Sequence, residues 1–166
     1  TEKIAKSKMS NDEIYIVPAF TGLGAPYWKP DSKGLITGIT RDTDWKNLVR
    51  ATLEAVAYQS YDLFESMKND GCKSKIIKVD GGMIANNWLA KFLADILNTK
   101  VLRPKIEDTT ALGAAFFAGY QIGVFKTLKE IKNKWKKDAI FSPKISQKQR
   151  NNLLQGWKQA IRKTLA

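Results

Sequence analysis

The stretch best equipped for chemistry is Val79-Asp80-Gly81-Gly82-Met83-Ile84-Ala85-Asn86-Asn87. An apolar run feeds two glycines, and a helical pattern follows. Glycine at such a point lets backbone approach a ligand with no Cβ in the way. Free N–H groups at the start of the next helix favour an anion or a polar ring edge. Asn86 offers both a donor and an acceptor, enough for an adenine, a ribose hydroxyl or neighbouring backbone. Two readings stand: a turn that faces a nucleotide, or a plain strand-to-helix turn with Asn86 as its cap. A second stretch, Thr109-Thr110-Ala111-Leu112-Gly113-Ala114-Ala115, opens a helix with small residues. That suits a flat ligand against Gly113 and Ala114, or close packing of helix on sheet. A third, Phe20-Thr21-Gly22-Leu23-Gly24-Ala25-Pro26-Tyr27-Trp28, is a loop too aromatic to float free. Its rings serve to stack on a ligand or to plug an apolar surface.

Other chemistries are excluded by what is missing. There is no histidine, and Cys72 is the one cysteine. Ser-His and Cys-His nucleophiles and the usual zinc sites are therefore ruled out. No internal disulfide can form, which fits a reducing, cytoplasmic setting. No run approaches the roughly 18 apolar residues of a membrane span, and the polar start has no apolar signal core. The formal charge of +12 would attract nucleic acid, anionic lipid or phosphorylated metabolites. The lysines are scattered, however, with local density only at 129–137 and 144–148. They form no stripe and no nucleic-acid motif, so a solvated surface and no nucleic-acid partner are expected.

The elements that must position these residues follow from periodicity. A composition 43% hydrophobic and 27% charged can build a core. Residues 1–13 read as a polar lead without defined structure. Ile14–Val17 and Gly34–Thr40 read as strands. Thr43 or Asp44 caps a long helix to about Lys68, with Leu48, Ala51, Ala55 and Tyr58 on its apolar face. Then come a strand at Lys75–Val79, a helix at Asn86–Leu97, a strand at Lys100–Arg103 and a helix from Asp108 or Thr109 to Ile122. A short helix near Leu128–Trp135 and a last one over Ser146–Thr164 complete the chain. Alternation of this kind predicts an α/β layer with parallel neighbours.

In order and spacing, these segments resemble the FGGY family of carbohydrate kinases. Val17–Trp28 looks like one family segment, in the form carried by its glycerol-phosphorylating members. Gly34–Ile39 followed by Asn47–Glu54 resembles a second, and Asp80-Gly81-Gly82 and Thr110–Ala115 fit the same pattern. The resemblance runs from Tyr15 to the final helix. It implies an α/β fold, part of the second actin-like (ribonuclease H-like) ATPase domain, with a mixed sheet flanked by helices. Residues 14–166 would be an incomplete C-terminal domain whose first strands lie upstream; the opening on Thr1 reads as a truncated or split polypeptide.

By the same resemblance, ATP or ADP with Mg²⁺ is the cofactor and glycerol the substrate. Gly82 lies against the nucleotide beside Gly81, Asn86 contacts it near the adenine, and Gly113 and Ala114 line the base pocket. No catalytic, substrate-binding or metal-binding role transfers to any residue here, because the family's catalytic aspartate precedes Thr1. Asp80 takes a structural part at its strand end, and Met83 crowds a place where relatives carry a smaller residue. The implied partner is the missing N-terminal half, and a homo-oligomer is compatible. The alternatives are a non-catalytic remnant of a split or decayed gene, or a kinase of another polyol or sugar in the family.

Overall fold

The computed structural model describes residues 1–8, 10, 13–106 and 108–166. Met9, Asn11 and Asp12 of the polar lead lie outside the described residues. The rest of that lead differs from expectation, since Glu2–Ser7 form a helix, α1. Ala5 is its buried contact, and Lys6 is paired with Glu2 one turn away. One small apolar residue suffices to seat a short helix whose other residues are polar or half-exposed.

Strands β1 (Tyr15–Val17) and β2 (Leu35–Thr37) pair antiparallel, with Tyr15 opposite Thr37 and Val17 opposite Leu35. The loop between them is only half a plug. Leu23 is buried and Tyr27 packs on the core, whereas Phe20 and Trp28 are 90% and 74% exposed.

Helix α2 (Trp45–Asn69) begins at a capping box. The Asp44 carboxylate accepts from the N–H groups of Lys46 and Asn47, and the Asn47 side chain accepts from the Asp44 N–H. Strand β3 (Ile76–Lys78) leads through a single 3-10 turn at Gly82–Ala85 into α3 (Asn87–Leu97) and back to β4 (Lys100–Pro104), parallel to β3. Helices α4 (Thr109–Gln121) and α5 (Leu128–Lys134) follow.

Strand β5 (Lys137–Phe141) then lies antiparallel to β4, giving the order β3-β4-β5, and α6 (Gln147–Leu165) closes the chain. β5 was not expected from the sequence. Its first residues continue a lysine-rich stretch, and an edge strand with one open side shows little alternation. The sheet is accordingly mixed, not purely parallel.

The core lies where α2, α3 and α6 meet β1. The Tyr58 ring is tilted against Tyr15, edge-on to Phe92 and stacked on Trp157 at 5.3 Å. Trp157 is fully buried, and its Nε1–H donates to Asp62 at 2.7 Å. Glu54 is buried on α2, where its carboxylate accepts from Arg50 Nε at 2.8 Å. Burial pushes the Glu54 carboxyl up to about 7, with Arg50 pulling the other way. Arg50 also donates to the Lys8 carbonyl, so the same guanidinium ties α1's end to α2.

Two measurements test this packing. A Cβ at Gly156 would lie 2.2 Å from the Tyr15 hydroxyl, which itself donates to the Leu153 carbonyl. Gly156→Ala is expected to lower unfolding free energy by about 2 kcal/mol in urea titration. An unchanged midpoint would show that α6 and β1 are not in this register.

The second concerns pH. Glu54 holds its proton more tightly folded than unfolded, so the folded chain binds the extra proton between about pH 4.5 and 7. Its contribution is full below that window and is lost as pH rises through it, by at most about 3 kcal/mol. Glu54→Gln should flatten the fall in stability across that window. Asp62, also raised by burial, acts with the same sign.

Candidate functional site

Asp80, Gly81 and Gly82 turn the chain from β3 towards α3. Gly81 has φ +89°, a conformation that side chains with a Cβ rarely adopt. The turn therefore requires glycine there on backbone grounds. Gly82 and Gly113 differ in having no positive φ, and a Cβ at either would meet nothing within 4 Å. Gly81 and Gly82 are exposed, so their backbone is open to solvent.

Asn86 is first of all a cap. Its Oδ1 accepts from the N–H groups of Trp88 and Leu89, at 3.0 and 3.1 Å. Its Nδ2 is buried without a hydrogen-bond partner among the described residues. The cap is thus observed, and a buried amide donor of this kind calls for an acceptor.

Arg103, at the end of β4, fixes the turn, and sequence reasoning missed it. One guanidinium nitrogen donates to the carbonyls of Ile84 and Ala85 and to Asn87 Oδ1, at 3.0, 3.3 and 3.0 Å. Its other nitrogens pair with Asp138 on β5, at 2.9 and 2.7 Å. The signal was hidden because β5 itself was not expected, which left Asp138 without a place.

Asp80 accepts a hydrogen bond from the Thr109 hydroxyl at the start of α4. This is the structural part expected of it, and it clamps the turn to the next helix. Beneath the clamp lies a hollow of about 460 Å³, lined by Lys78, Asp80, Thr109, Gly113, Phe116 and Trp135 among others. Lys78 Nζ sits 3.9 Å from the centre of the Trp135 ring. The structure thus brings Gly113 and Asp80 to one hollow. Gly81, Gly82, Asn86 and Ala114 do not line it; the glycines and Ala114 are exposed beside it. Met83 is 55% exposed and does not fill the turn.

The arrangement leaves backbone bare beside the hollow, and the carboxylate in its lining, Asp80, is bonded to Thr109. Among the described residues no group of three His, Cys, Asp or Glu side chains could hold a metal ion. No helix among them is long and apolar enough to cross a membrane.

A mixed α/β layer of this kind recurs in solved carbohydrate kinases. Plasmodium falciparum glycerol kinase with ADP superposes with a TM-score of 0.88 at 33% identity, over 99% of this chain and 33% of that one. Xylulose kinase from Lactobacillus acidophilus shares the fold with a TM-score of 0.80 at 21% identity, over 96% of this chain and 32% of that one. The fold is the actin-like ATPase fold of these kinases.

Glycerol kinase of Alteromonas mediterranea is 47% identical over 97% of this chain and 33% of its own length, and that of Gluconobacter oxydans 46% over 99% and 32%. The profile for "FGGY family of carbohydrate kinases, C-terminal domain" matches residues 2–122. The chain belongs to the FGGY family of carbohydrate kinases. It spans about a third of the length of the curated relatives it matches.

The Arg103 network predicts a local effect. Arg103→Met should speed amide exchange at Met83–Asn87 on α3's approach and cost about 2 kcal/mol of stability. Exchange unchanged there, measured by mass spectrometry, would show that the turn holds itself.

Proposed function

We propose that this chain is the nucleotide-binding part of a glycerol kinase, which moves the γ-phosphoryl group of ATP to glycerol and gives glycerol 3-phosphate. The observation that carries the proposal is its identity of 46–47% with curated glycerol kinases across nearly its whole length. The solved Plasmodium relative, described with ADP, supports the nucleotide. In this reading Gly81 and Gly82 offer backbone to the nucleotide, with Asn86 near the adenine. Gly113 and Ala114 form the wall of the base pocket. The bare Cβ positions at Gly82 and Gly113 and the unpaired Nδ2 of Asn86 are compatible with such a ligand.

Phosphoryl transfer rests on positioning and on neutralising charge at the phosphates. This chain contributes the positioning of the adenosine end. Mg²⁺ held by the nucleotide phosphates would supply that neutralisation. By the family resemblance, the residue that takes the glycerol proton lies outside these residues, and Asp80, bonded to Thr109, is read as structural. One wall cannot close a cleft around two substrates. The partner in this reading is the remaining two-thirds of the family fold, in the same polypeptide or in another, in a cytoplasmic setting where ATP and free thiols both occur.

The test is a coupled assay for glycerol 3-phosphate. The 166-residue chain alone is expected to give no turnover. Mixed with the N-terminal two-thirds of a related glycerol kinase, it is expected to restore ATP-dependent turnover. No recovery despite association would favour the non-catalytic remnant, and turnover with a different polyol would reassign the substrate.

A further inference from the structure

The backbone N–H groups at the start of α3 are all engaged. Asn86 Oδ1 takes those of Trp88 and Leu89, and the Asn86 carbonyl takes that of Ala90 at 3.1 Å. The Asn87 N–H donates to a carboxylate oxygen of Glu2 at 3.3 Å, a bond between α1 and α3. A helix start ordinarily welcomes an anion, because its N–H groups and its dipole both favour negative charge. Here a carboxylate of the chain itself already stands at that place.

Glu2 is held there from several sides. Lys6 Nζ donates to its other oxygen at 2.5 Å, and this bond first of all keeps the Glu2 carboxyl below the usual carboxylate range. Lys91, one turn into α3, pulls the same way. Helix α1 is seated by buried Ala5 and tied by Arg50, which donates to the carbonyls of Ala5 and Lys8. The Arg50 guanidinium also lies 5.1 Å from the centre of the Trp88 ring. Two consecutive residues of α3 are thus fixed to this brace, Asn87 through Glu2 and Trp88 through Arg50.

The donor left over at this corner is Asn86 Nδ2, which is neutral and has no partner among the described residues. A phosphate brought to the same place would have to sit beside the charge of Glu2 or displace it, and like charges at such range repel. A purine edge or a ribose hydroxyl accepts the amide hydrogen without that repulsion.

We propose that Glu2 is a specificity residue that closes the start of α3 to phosphate, and so turns a bound nucleotide with its adenosine end towards Asn86. The inference rests on the reading of the chain as a nucleotide-binding part, and it adds the residue that sets the ligand's orientation. Nothing in the sequence singled out Glu2, because its bond to Asn87 joins residues 85 positions apart.

The experiment follows the amide shifts of the ¹⁵N-labelled chain by nuclear magnetic resonance, in separate titrations with adenosine and with inorganic phosphate. In the parent, adenosine is expected to shift the Asn86 side-chain amide, and phosphate to leave residues 87–89 unmoved. Glu2→Gln keeps an oxygen for the Asn87 N–H and removes the charge. Phosphate should then bind at residues 87–89 at least about fivefold more tightly, the order of what a charge at a helix start is worth. Adenosine, being neutral, should keep its affinity within about twofold. Glu2→Ala also frees the Asn87 N–H and should gain at least as much. Glu65→Gln removes the same charge from a half-exposed site on α2 and should gain nothing.

Tighter phosphate binding in either Glu2 variant, unshared by Glu65→Gln, carries the proposal. No gain in both variants would overturn it, even with a lowered unfolding midpoint, since Glu2 would then only seat α1. So would an equal gain in Glu65→Gln, or phosphate already bound at residues 87–89 in the parent. Adenosine that leaves Asn86 unmoved would refute the nucleotide reading instead, and the phosphate titration would still decide whether Glu2 guards α3.

Discussion

Tyr58 is the joint of the molecule. It is 1% exposed, and its ring touches Tyr15 from β1, Phe92 from α3 and Trp157 from α6. Each such aromatic pair adds about 0.5–1.5 kcal/mol beyond the area it buries. The β1-β2 pair needs this anchor, because a two-stranded hairpin is marginal alone. The last helix needs it as well, and the bond from Trp157 to Asp62 fixes the indole's orientation within the stack. With α2 held on three sides, α3 has a surface to lie on. The turn at Gly81 and Gly82 is then delivered to a fixed place at α3's start.

The turn and the helix beyond it are secured unequally. On the α3 side stand the Asn86 cap and the Arg103 guanidinium, itself held by Asp138. The α4 side is joined to the turn by the Asp80–Thr109 bond, and α4 buries none of its residues. Phe116 meets Phe125 edge-on at 5.6 Å, a contact within the α4–α5 segment and not with the main core. The stability of a region follows the apolar contacts it makes. The half of the site built on α3 thus has the core behind it, while the α4 half rests on the Asp80–Thr109 bond and the Phe116–Phe125 contact.

Much of this was legible in the sequence. The boundaries of α2, α3, α4 and α6 were set by Asp44, Asn86, Asp108 and Ser146, all of which cap as their chemistry suggests. The turn at Gly81 was marked by paired glycines between two apolar periodicities. The missing pieces share a physical cause: they depend on partners distant in the chain. β5 exists because β4 presents an open edge, not because residues 137–141 alternate strongly. Arg103 becomes a clamp only once Asp138 and the carbonyls of Ile84 and Ala85 converge on it. Helix α1 needed the pocket that closes over Ala5.

The glycines separate what this chain requires of itself from what something else requires of it. Gly156 is demanded by Tyr15, whose hydroxyl occupies the space a side chain would need, and Gly119 by Phe125, 2.9 Å from its Cβ position. Gly81 is demanded by its own φ. Gly82 and Gly113 answer to neither constraint, since space beside both is open and neither has a positive φ. Glycine costs a helix interior about 1 kcal/mol relative to alanine, and Gly113 sits inside α4. Among the described residues, that cost finds no return in packing. Under the proposed reading, bare backbone at both places lets a nucleotide come closer than a Cβ would permit.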